Sequence, residues 1–212
     1  MNITDWVGIY GAVIATILAI KELYLIFTNK PKLLVKPVHP DYQWFFILPN
    51  GEYQNEPTRK YGFLAYISVK NCGARDVSME SWFLLLETVN KKSVELKPIS
   101  IPEPTIELGQ SGHLKIYPVL GQKTPYHQGK VMIKSGGSVT GFSYFIAEFY
   151  GDDSWNPLIK NDRAIGKFII QDVFSNKSES AISFTKITLE KAKKMVDNID
   201  KIEIASSPYA SQ

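Results

Sequence analysis

The N-terminal segment carries the longest apolar run of the chain. Residues 6–20 (WVGIYGAVIATILAI) contain no charged side chain, and after one Lys-Glu pair the apolar pattern continues to Phe27. At about 1.5 Å of rise per residue, a helix of this length reaches about 33 Å, enough to cross a hydrocarbon core of about 30 Å. The pattern therefore predicts a transmembrane anchor over residues 1–28, and the lipid bilayer as a partner.

Amphipathic side chains stand near both ends of this segment. Trp6 and Tyr10 at one end and Tyr24 at the other suit the two lipid–water interfaces, and Lys21 can extend its ammonium group to the headgroups. A secretory signal peptide is one alternative, but it would begin with a basic region, whereas the charged side chain before the run is Asp5. A buried or interfacial helix is the other alternative, because the Lys21-Glu22 pair interrupts the apolar run. Lysines follow the run on its C-terminal side. They predict a single-pass protein of the inner (cell) membrane with its soluble domain in the cytoplasm.

Small residues recur at every fourth position of the anchor. Gly11, Ala15 and Ala19 form one row, and Gly8 and Ala12 form the next. Such rows let helix backbones approach closely in lipid, so they predict a homo-oligomer formed through this face. The alternative is that Gly and Ala are simply common in membrane helices.

Beyond residue 28, short alternating apolar segments separated by turn residues predict a β domain over residues 29–187. The clearest strand is 63–71 (FLAYISVKN), whose odd-numbered residues from Phe63 to Val69 share one face. About eight to ten such strands are typical of an antiparallel sandwich. The other candidates are residues 33–39, 43–48, 75–87, 93–96, 113–117, 131–134, 142–150, 165–173 and 182–187.

Two details of this pattern make specific predictions. The stretch 49–60 is polar and contains Gly and Pro, which predicts an exposed loop. Within 75–87, strict alternation places one set of apolar side chains on one face (Val77, Met79, Phe83, Leu85) and another set on the opposite face (Trp82, Leu84, Leu86).

The C-terminal region changes to a helical period. Residues 188–205 repeat apolar side chains at helical spacing, and Thr188 is placed to cap the helix N-terminus. We expect an amphipathic helix packed on the sandwich; a partner-binding helix and a helix on the membrane surface are the alternatives. A flexible tail is predicted over 206–212.

Composition narrows the function classes. The net charge of +3 is dispersed along 212 residues, so no nucleic-acid partner is expected. The single cysteine, Cys72, excludes an intrachain disulfide and fits a reducing cytoplasm. The three histidines, His39, His113 and His127, lack metal-ligand spacing, and the chain has no phosphate loop, dinucleotide fingerprint or nucleophile elbow. The sequence thus predicts a protein that is not an enzyme and needs neither a metal nor a cofactor.

An aromatic stretch is the best binding candidate in the sequence. Tyr42, Trp44 and Phe46, with Arg59 and Lys60 further along, would suit a protein interface or a stacked ligand. The alternative is that alternate residues of a strand fill the core.

Three runs carry a resemblance to a known type of domain. The run YISVKNCGARDVSMESWFLLLE resembles the region from strand B to strand C of immunoglobulin-like domains in small bacterial membrane-anchored proteins. PTIELGQSGHLKIY resembles the element before their middle strand, and YFIAEFYGDDSWNPLIK resembles their strand F turn. The resemblance covers roughly residues 33–175. It implies an immunoglobulin-like β-sandwich and no particular chemistry.

These features together predict a membrane-tethered interaction or sensing module, part of a bacterial complex and bound to a protein partner. A second class is a membrane-disrupting effector of a defence or toxin system, whose helices associate when the soluble domain senses a signal. A third class, a hydrolase on an unusual scaffold, is disfavoured because the sequence contains no catalytic constellation.

Overall fold

The computed structural model describes residues 3–28, 30–108, 113–121 and 131–202. These residues are mainly β, as the sequence predicts. The helices are α1 (Ile3–Thr28) and α2 (Leu189–Met195). The strands are β1 (Leu33–Pro37), β2 (Gln43–Tyr53), β3 (Glu56–Asn71), β4 (Val77–Glu87), β5 (Ser93–Leu96), β6 (Thr105–Leu108), β7 (His113–Ile116), β8 (Val131–Ile133), β9 (Ser138–Phe149), β10 (Ile159–Lys160), β11 (Arg163–Asp172) and β12 (Lys177–Lys186).

Helix α1 stands apart from the β domain. Its segment from Trp6 to Tyr24 has a mean hydropathy of 1.6, and none of it is buried against the rest of the chain. The segment is long and apolar enough to cross a membrane, and a signal sequence would share these properties. The helix ends at Thr28, shortly before Pro31, because proline disfavours helical backbone in the residue that precedes it.

Most strands belong to one sheet. Its order is β1-β3-β2-β12-β11-β4-β5; in addition β9 pairs with β3, β8 with β4 and β10 with β11, while β6 and β7 form a separate hairpin. The described strand pairs are antiparallel except β12 and β2, which run parallel at Thr185–Trp44 and Lys186–Phe45. One isolated parallel bridge also joins Val119 to Phe142. Strand β8 leads through residues 134–137 into β9, so this short connection joins the β4 and β3 regions of the sheet.

The inner face of the sheet surrounds the main core. Phe45, Phe63 and Phe145 lie side by side on β2, β3 and β9, and all three are fully buried. Phe168 of β11 meets Phe145 edge to face, with ring centroids 6.0 Å apart, although β11 and β9 are not neighbours in the sheet. The sheet therefore folds over on itself and packs in two layers.

The outer face of β2, β3 and β9 carries a second core. Trp44, Phe46 and Tyr144 alternate with the inner residues and are covered by α2 and by Ile99, Ile101, Ile106, Tyr117 and Val119. Gly62 is required between them, because the ring of Phe46 occupies the space that a Cβ at this position would need. These three strands are consequently buried on both faces.

Tyr144 makes the stability of this second core depend on pH. Burial raises the pKa of its phenol above the ordinary value of 10.0. The unfolded chain then loses this proton at a lower pH than the folded chain, so we expect stability to fall by up to about 1.4 kcal/mol per pH unit above pH 10. Below pH 10 Tyr144 does not make the free energy of unfolding depend on pH.

The measurement is urea unfolding between pH 7 and pH 11. Tyr144→Phe should flatten the alkaline slope, whereas Ile47→Ala, which removes no ionisable group from an exposed position, should leave it unchanged. Part of the slope should persist, because burial also raises the pKa of Tyr61 and of Tyr66. An unchanged slope in Tyr144→Phe would contradict the assignment.

Two local features of the strands differ from the sequence prediction. Residues 49–60 are not a loop: β2 and β3 extend through them and meet in a two-residue turn at Gln54 and Asn55, both with positive φ. In β4 the register against β11 shifts where Asp172 pairs with Met79, and beyond this bulge the buried side chains are Leu84 and Leu86. Phe83 and Leu85 therefore do not share the core face of Val77, because a bulge inserts one extra residue and reverses the alternation.

The C-terminal helix is shorter than predicted. Thr188 caps α2 by accepting a hydrogen bond from the amide of Lys191 at 3.3 Å, but the helix ends at Met195. Val196 is extended and Asn198 has a φ of 53°, so the chain turns there instead of continuing. Ile199 and Ile202 still pack on the second core from this turn. Residues 203–205 and the predicted tail 206–212 lie outside the described residues.

Candidate functional site

The structure corrects the aromatic candidate at two of its residues. Trp44 is 7% exposed and Phe46 is fully buried, so neither side chain offers a binding surface. Trp44 stacks on Phe142 with ring centroids 5.9 Å apart, and Phe46 stacks on Tyr144 at 6.1 Å. Alternate residues of β2 thus fill the second core, which was the alternative explanation of this pattern.

Tyr42 lies at the edge of the same cluster and is only partly buried. Its ring contacts those of Trp44, Tyr66 and Tyr117, and a hydrogen bond to Tyr117 is the main cause that raises the pKa of Tyr42. Lys115 lies over the ring of Tyr117 at 5.2 Å. These contacts close the edge of the second core and leave Tyr42 with limited surface for a partner.

Arg59 and Lys60 lie elsewhere and are occupied within the domain. Arg59 donates to the carbonyl oxygens of Gly151 and Asp152 at 3.0 and 2.7 Å and to Asn156 Oδ1 at 2.7 Å. Lys60 pairs with Glu148 at 3.3 Å. The guanidinium therefore fixes the loop after β9, and the structure does not bring the five aromatic and basic candidates into one site.

Exposed aromatic side chains are found instead at the end of the domain where this loop lies. Tyr53 and Tyr150 stack with ring centroids 4.9 Å apart, and both are exposed. Trp155 is also exposed, with the ammonium of Lys92 4.8 Å from its ring centroid. We call this region the distal end, which comprises residues 52–57, 88–92 and 149–156.

A cleft beside Trp82 holds unpaired polar atoms. It has a volume of about 260 Å³ and lies where β4, β9 and the segments after β5 and β7 meet. Among the described residues, neither Trp82 Nε1 nor the hydroxyl of Ser143 has a hydrogen-bond partner, although both atoms are buried. The remaining walls are mainly apolar and are formed by Pro98, Ile99, Ser100, Val119, Leu120 and Gly121. Buried polar groups are normally paired, so two residues of this cleft retain hydrogen-bonding capacity that the described residues do not use.

Sequence reasoning did not find this cleft. Trp82 was predicted only to lie on a face of β4, and Ser143 is an ordinary polar position in a strand pattern. The two residues come together because β4 and β9 are brought to the same side of the irregular segment 97–104. The prolines of the segment 97–104 are a partial signal, because they predict that this segment cannot cover the sheet with a regular helix or strand.

The anchor candidates all lie on the surface of α1. Trp6, Tyr10, Lys21 and Tyr24 are exposed, as are the small residues Gly8, Gly11, Ala12, Ala15 and Ala19. Apart from the adjacent residues and the backbone of the helix itself, nothing lies within 4 Å of a Cβ placed at Gly8 or Gly11. The small-residue face is therefore uncovered in the single chain, and its role in self-association stays a prediction.

No metal-binding cluster is found among the described residues, where no group of three or more His, Cys, Asp and Glu side chains comes together. His39 accepts a hydrogen bond from the amide of Asp41 at 3.2 Å and so caps a short turn. Cys72 is exposed. The side chain of His113 and the whole of His127 lie outside the described positions, so the absence of a metal site stays a prediction.

Comparisons with known proteins assign no family. No protein family matches the sequence, and no curated protein sequence matches it. A solved structure assigned to ApaA from Bordetella pertussis is 11% identical, with a TM-score of 0.31, covering 74% of this chain and 94% of that chain. A family 123 glycoside hydrolase from Clostridium perfringens is 10% identical, with a TM-score of 0.33, covering 75% of this chain and 27% of that chain. Similarity this low supports no conclusion about fold type, activity or ligand.

Proposed function

We propose that this chain is a membrane-tethered, non-enzymatic interaction or sensing module, part of a bacterial membrane complex. One observation carries the proposal: the apolar segment from Trp6 to Tyr24 is exposed on all sides, although the β domain that follows buries two cores of its own. An uncovered apolar surface of this length requires a partner, and its length suits a bilayer.

The orientation follows from the residues after α1. Lys30, Lys32 and Lys36 are exposed at the start of the β domain, on the C-terminal side of the apolar segment. The positive-inside tendency supports a β domain in the cytoplasm.

The Trp82 cleft supports the sensing part of the proposal. A small molecule with a hydrogen-bond acceptor would pair with the indole N–H of Trp82, and its apolar part would contact Val119 and Leu120. The immunoglobulin-like resemblance remains part of this proposal: the two-layer core agrees with it, whereas the continuous strand order and the parallel β2–β12 pair differ from two separate antiparallel sheets.

Deletion of residues 1–28 tests the tether. We expect the full chain to remain in the membrane pellet after an alkaline wash and the deletion variant to move entirely to the soluble fraction. Intact mass of the membrane-bound protein separates an anchor from a signal sequence, since a cleaved signal would remove the helix. A full chain released by the wash would contradict the proposal.

Protease digestion of a C-terminal tag tests the orientation. Cleavage in inverted vesicles and protection in cells with a permeabilised outer barrier is the expected result for a cytoplasmic domain. The opposite pattern would contradict the charge argument.

The second candidate function is the membrane-disrupting effector, favoured by the uncovered small-residue face of α1. The deletion variant separates the two: an interaction module should keep its protein partner, while an effector should lose toxicity. Gly11→Leu together with Ala15→Leu should abolish oligomers of an effector, and an unchanged oligomer size would remove that candidate.

A further inference from the structure

The end of the β domain nearest to α1 is built from several chain segments. The amide of Cys72 donates to the carbonyl of Lys32 at 2.7 Å, which holds the start of the domain against the turn after β3. The hydroxyl of Ser135 donates to the carbonyl of Gly73 at 2.8 Å, which joins the β8–β9 turn to the same place. We call this surface the helix-proximal end, which comprises residues 30–34, 70–76, 132–138 and 172–177.

The β11–β12 turn also lies at the helix-proximal end, as the pairing of β11 with β4 shows. Asp172 pairs with Met79, and the amide of Val173 donates to the carbonyl of Ser78 at 3.2 Å. Phe174 at the tip of the turn is 62% exposed, and Met132 on β8 is 64% exposed. Two large apolar side chains thus face solvent at the end of the domain where the membrane helix is attached.

Basic side chains dominate the charge of the helix-proximal end. Its acidic residues are Asp76, which accepts a hydrogen bond from the amide of Ser135 at 2.8 Å, and Asp172, which is buried and accepts hydrogen bonds within its own turn. The basic residues are all exposed: Lys30, Lys32, Lys70, Arg75, Lys134 and Lys177.

We propose that the helix-proximal end binds the anionic headgroup surface of the membrane, with Met132 and Phe174 entering the interface. This inference rests on the proposed tether. The chain from Thr28 to Lys32 can extend over at most about 14 Å, so α1 holds this end close to the headgroups. A basic residue near an anionic surface strengthens binding about fivefold, and exposed apolar side chains add contact with the acyl boundary. The β domain is then held in one orientation, with its distal end pointing away from the lipid.

Cys72 provides a probe for this contact, because it is the single cysteine and is exposed at the helix-proximal end. The full chain is labelled there with a fluorophore and placed in nanodiscs that contain a headgroup quencher, with either phosphatidylcholine alone or added phosphatidylglycerol. We expect strong quenching with the anionic lipid and a loss of that increment in 1 M salt. A label moved to the distal end by Cys72→Ser and Glu56→Cys should show no lipid-dependent quenching.

Charge reversal supplies the matched variants. Lys70→Glu with Lys134→Glu should lower the ratio of docked to undocked domains by at least about 25-fold, because each lysine contributes a factor of about five. Lys91→Glu with Lys160→Glu changes the net charge equally at exposed positions away from this surface and should change the ratio less than about twofold. Equal effects of the two pairs would overturn the proposal.

The other possible results of the nanodisc experiment also test the docking proposal. A chain that does not enter nanodiscs overturns the tether and with it the docking. A chain that enters but shows equal quenching in both lipids overturns the docking alone. If the Cys72 label is shielded from solvent in detergent without anionic lipid, the surface binds a second copy of the chain. That result would also overturn the proposal.

Discussion

Replacing Phe63 by alanine is expected to lower the free energy of unfolding by about 3–5 kcal/mol. Phe63 is fully buried at the centre of β3, where its ring stacks on Phe45 at 5.9 Å and meets Phe184 edge to face at 5.2 Å. These contacts join β2, β3 and β12 beside the parallel pair. Strands buried on both faces leave little room for neighbours to close the cavity, so the cost should lie near the top of this range.

Urea unfolding of the detergent-solubilised chain measures this effect, with the fluorescence of the buried Trp44 among its signals. Ile47→Ala is the matched control, because Ile47 lies on β2 two residues from Phe45 and is exposed. Its cost should stay below about 1 kcal/mol. A loss of less than about 1 kcal/mol in Phe63→Ala would show that Phe63 does not lie in a closely packed core.

Replacing Asn71 by alanine is the second large effect, and we expect a loss of about 2–4 kcal/mol. The amide of its fully buried side chain donates to the carbonyls of Arg75 and Ile133 at 2.7 and 3.1 Å, and its Oδ1 accepts from the amide of Gly73 at 2.9 Å. Alanine would leave several backbone groups unpaired where β3, β4 and β8 meet.

Asn71→Asp tests the two hydrogen bonds that the side-chain amide donates separately from the one that its oxygen accepts. Aspartate keeps the shape and the acceptor but presents carboxylate oxygens to the two carbonyls, so at pH 7 it should be at least as unstable as Asn71→Ala. Thermal unfolding of both variants measures the difference. Wild-type stability in Asn71→Asp would contradict the role of the two donated hydrogen bonds.

The sequence predicts most of the strands because their apolar residues alternate over several positions. Phe63, Ala65, Ile67 and Val69 all face the main core, as their spacing indicates. Periodicity reports which face is buried, and it is reliable where the strand continues without interruption. The order of strands and the parallel β2–β12 pair depend on contacts between distant segments, which periodicity does not contain.

The local errors have identifiable causes. The β2–β3 turn uses Gln54 and Asn55 with positive φ, whereas the usual signal for such a turn is Asn-Gly, so 49–60 was predicted to be a loop. The bulge in β4 has no Gly or Pro to mark it. In α2 the apolar period continues past Met195, although Asp197 and Asn198 favour a turn over a helix.

The candidate site was harder to predict than the fold. Trp44 and Phe46 share one face of β2, but that face is covered by the second core, and Arg59 is used by the loop after β9. The Trp82 cleft and the helix-proximal end each join three or more segments. Features of this kind follow from topology, which a single sequence does not specify.

The parallel pair of β2 and β12 sets the order of events during synthesis. Strand β12 lies between β2 and β11, so the sheet is completed only when residues 177–186 are available. At about 5–20 residues per second, the ribosome adds β12 roughly 10–30 s after α1. During this interval β2 presents an open edge, which is prone to pair with other chains. If α1 is the proposed tether, it is synthesised before the sheet can be completed, and its delivery to the membrane would keep each unfinished sheet apart from its neighbours while the edge of β2 is open.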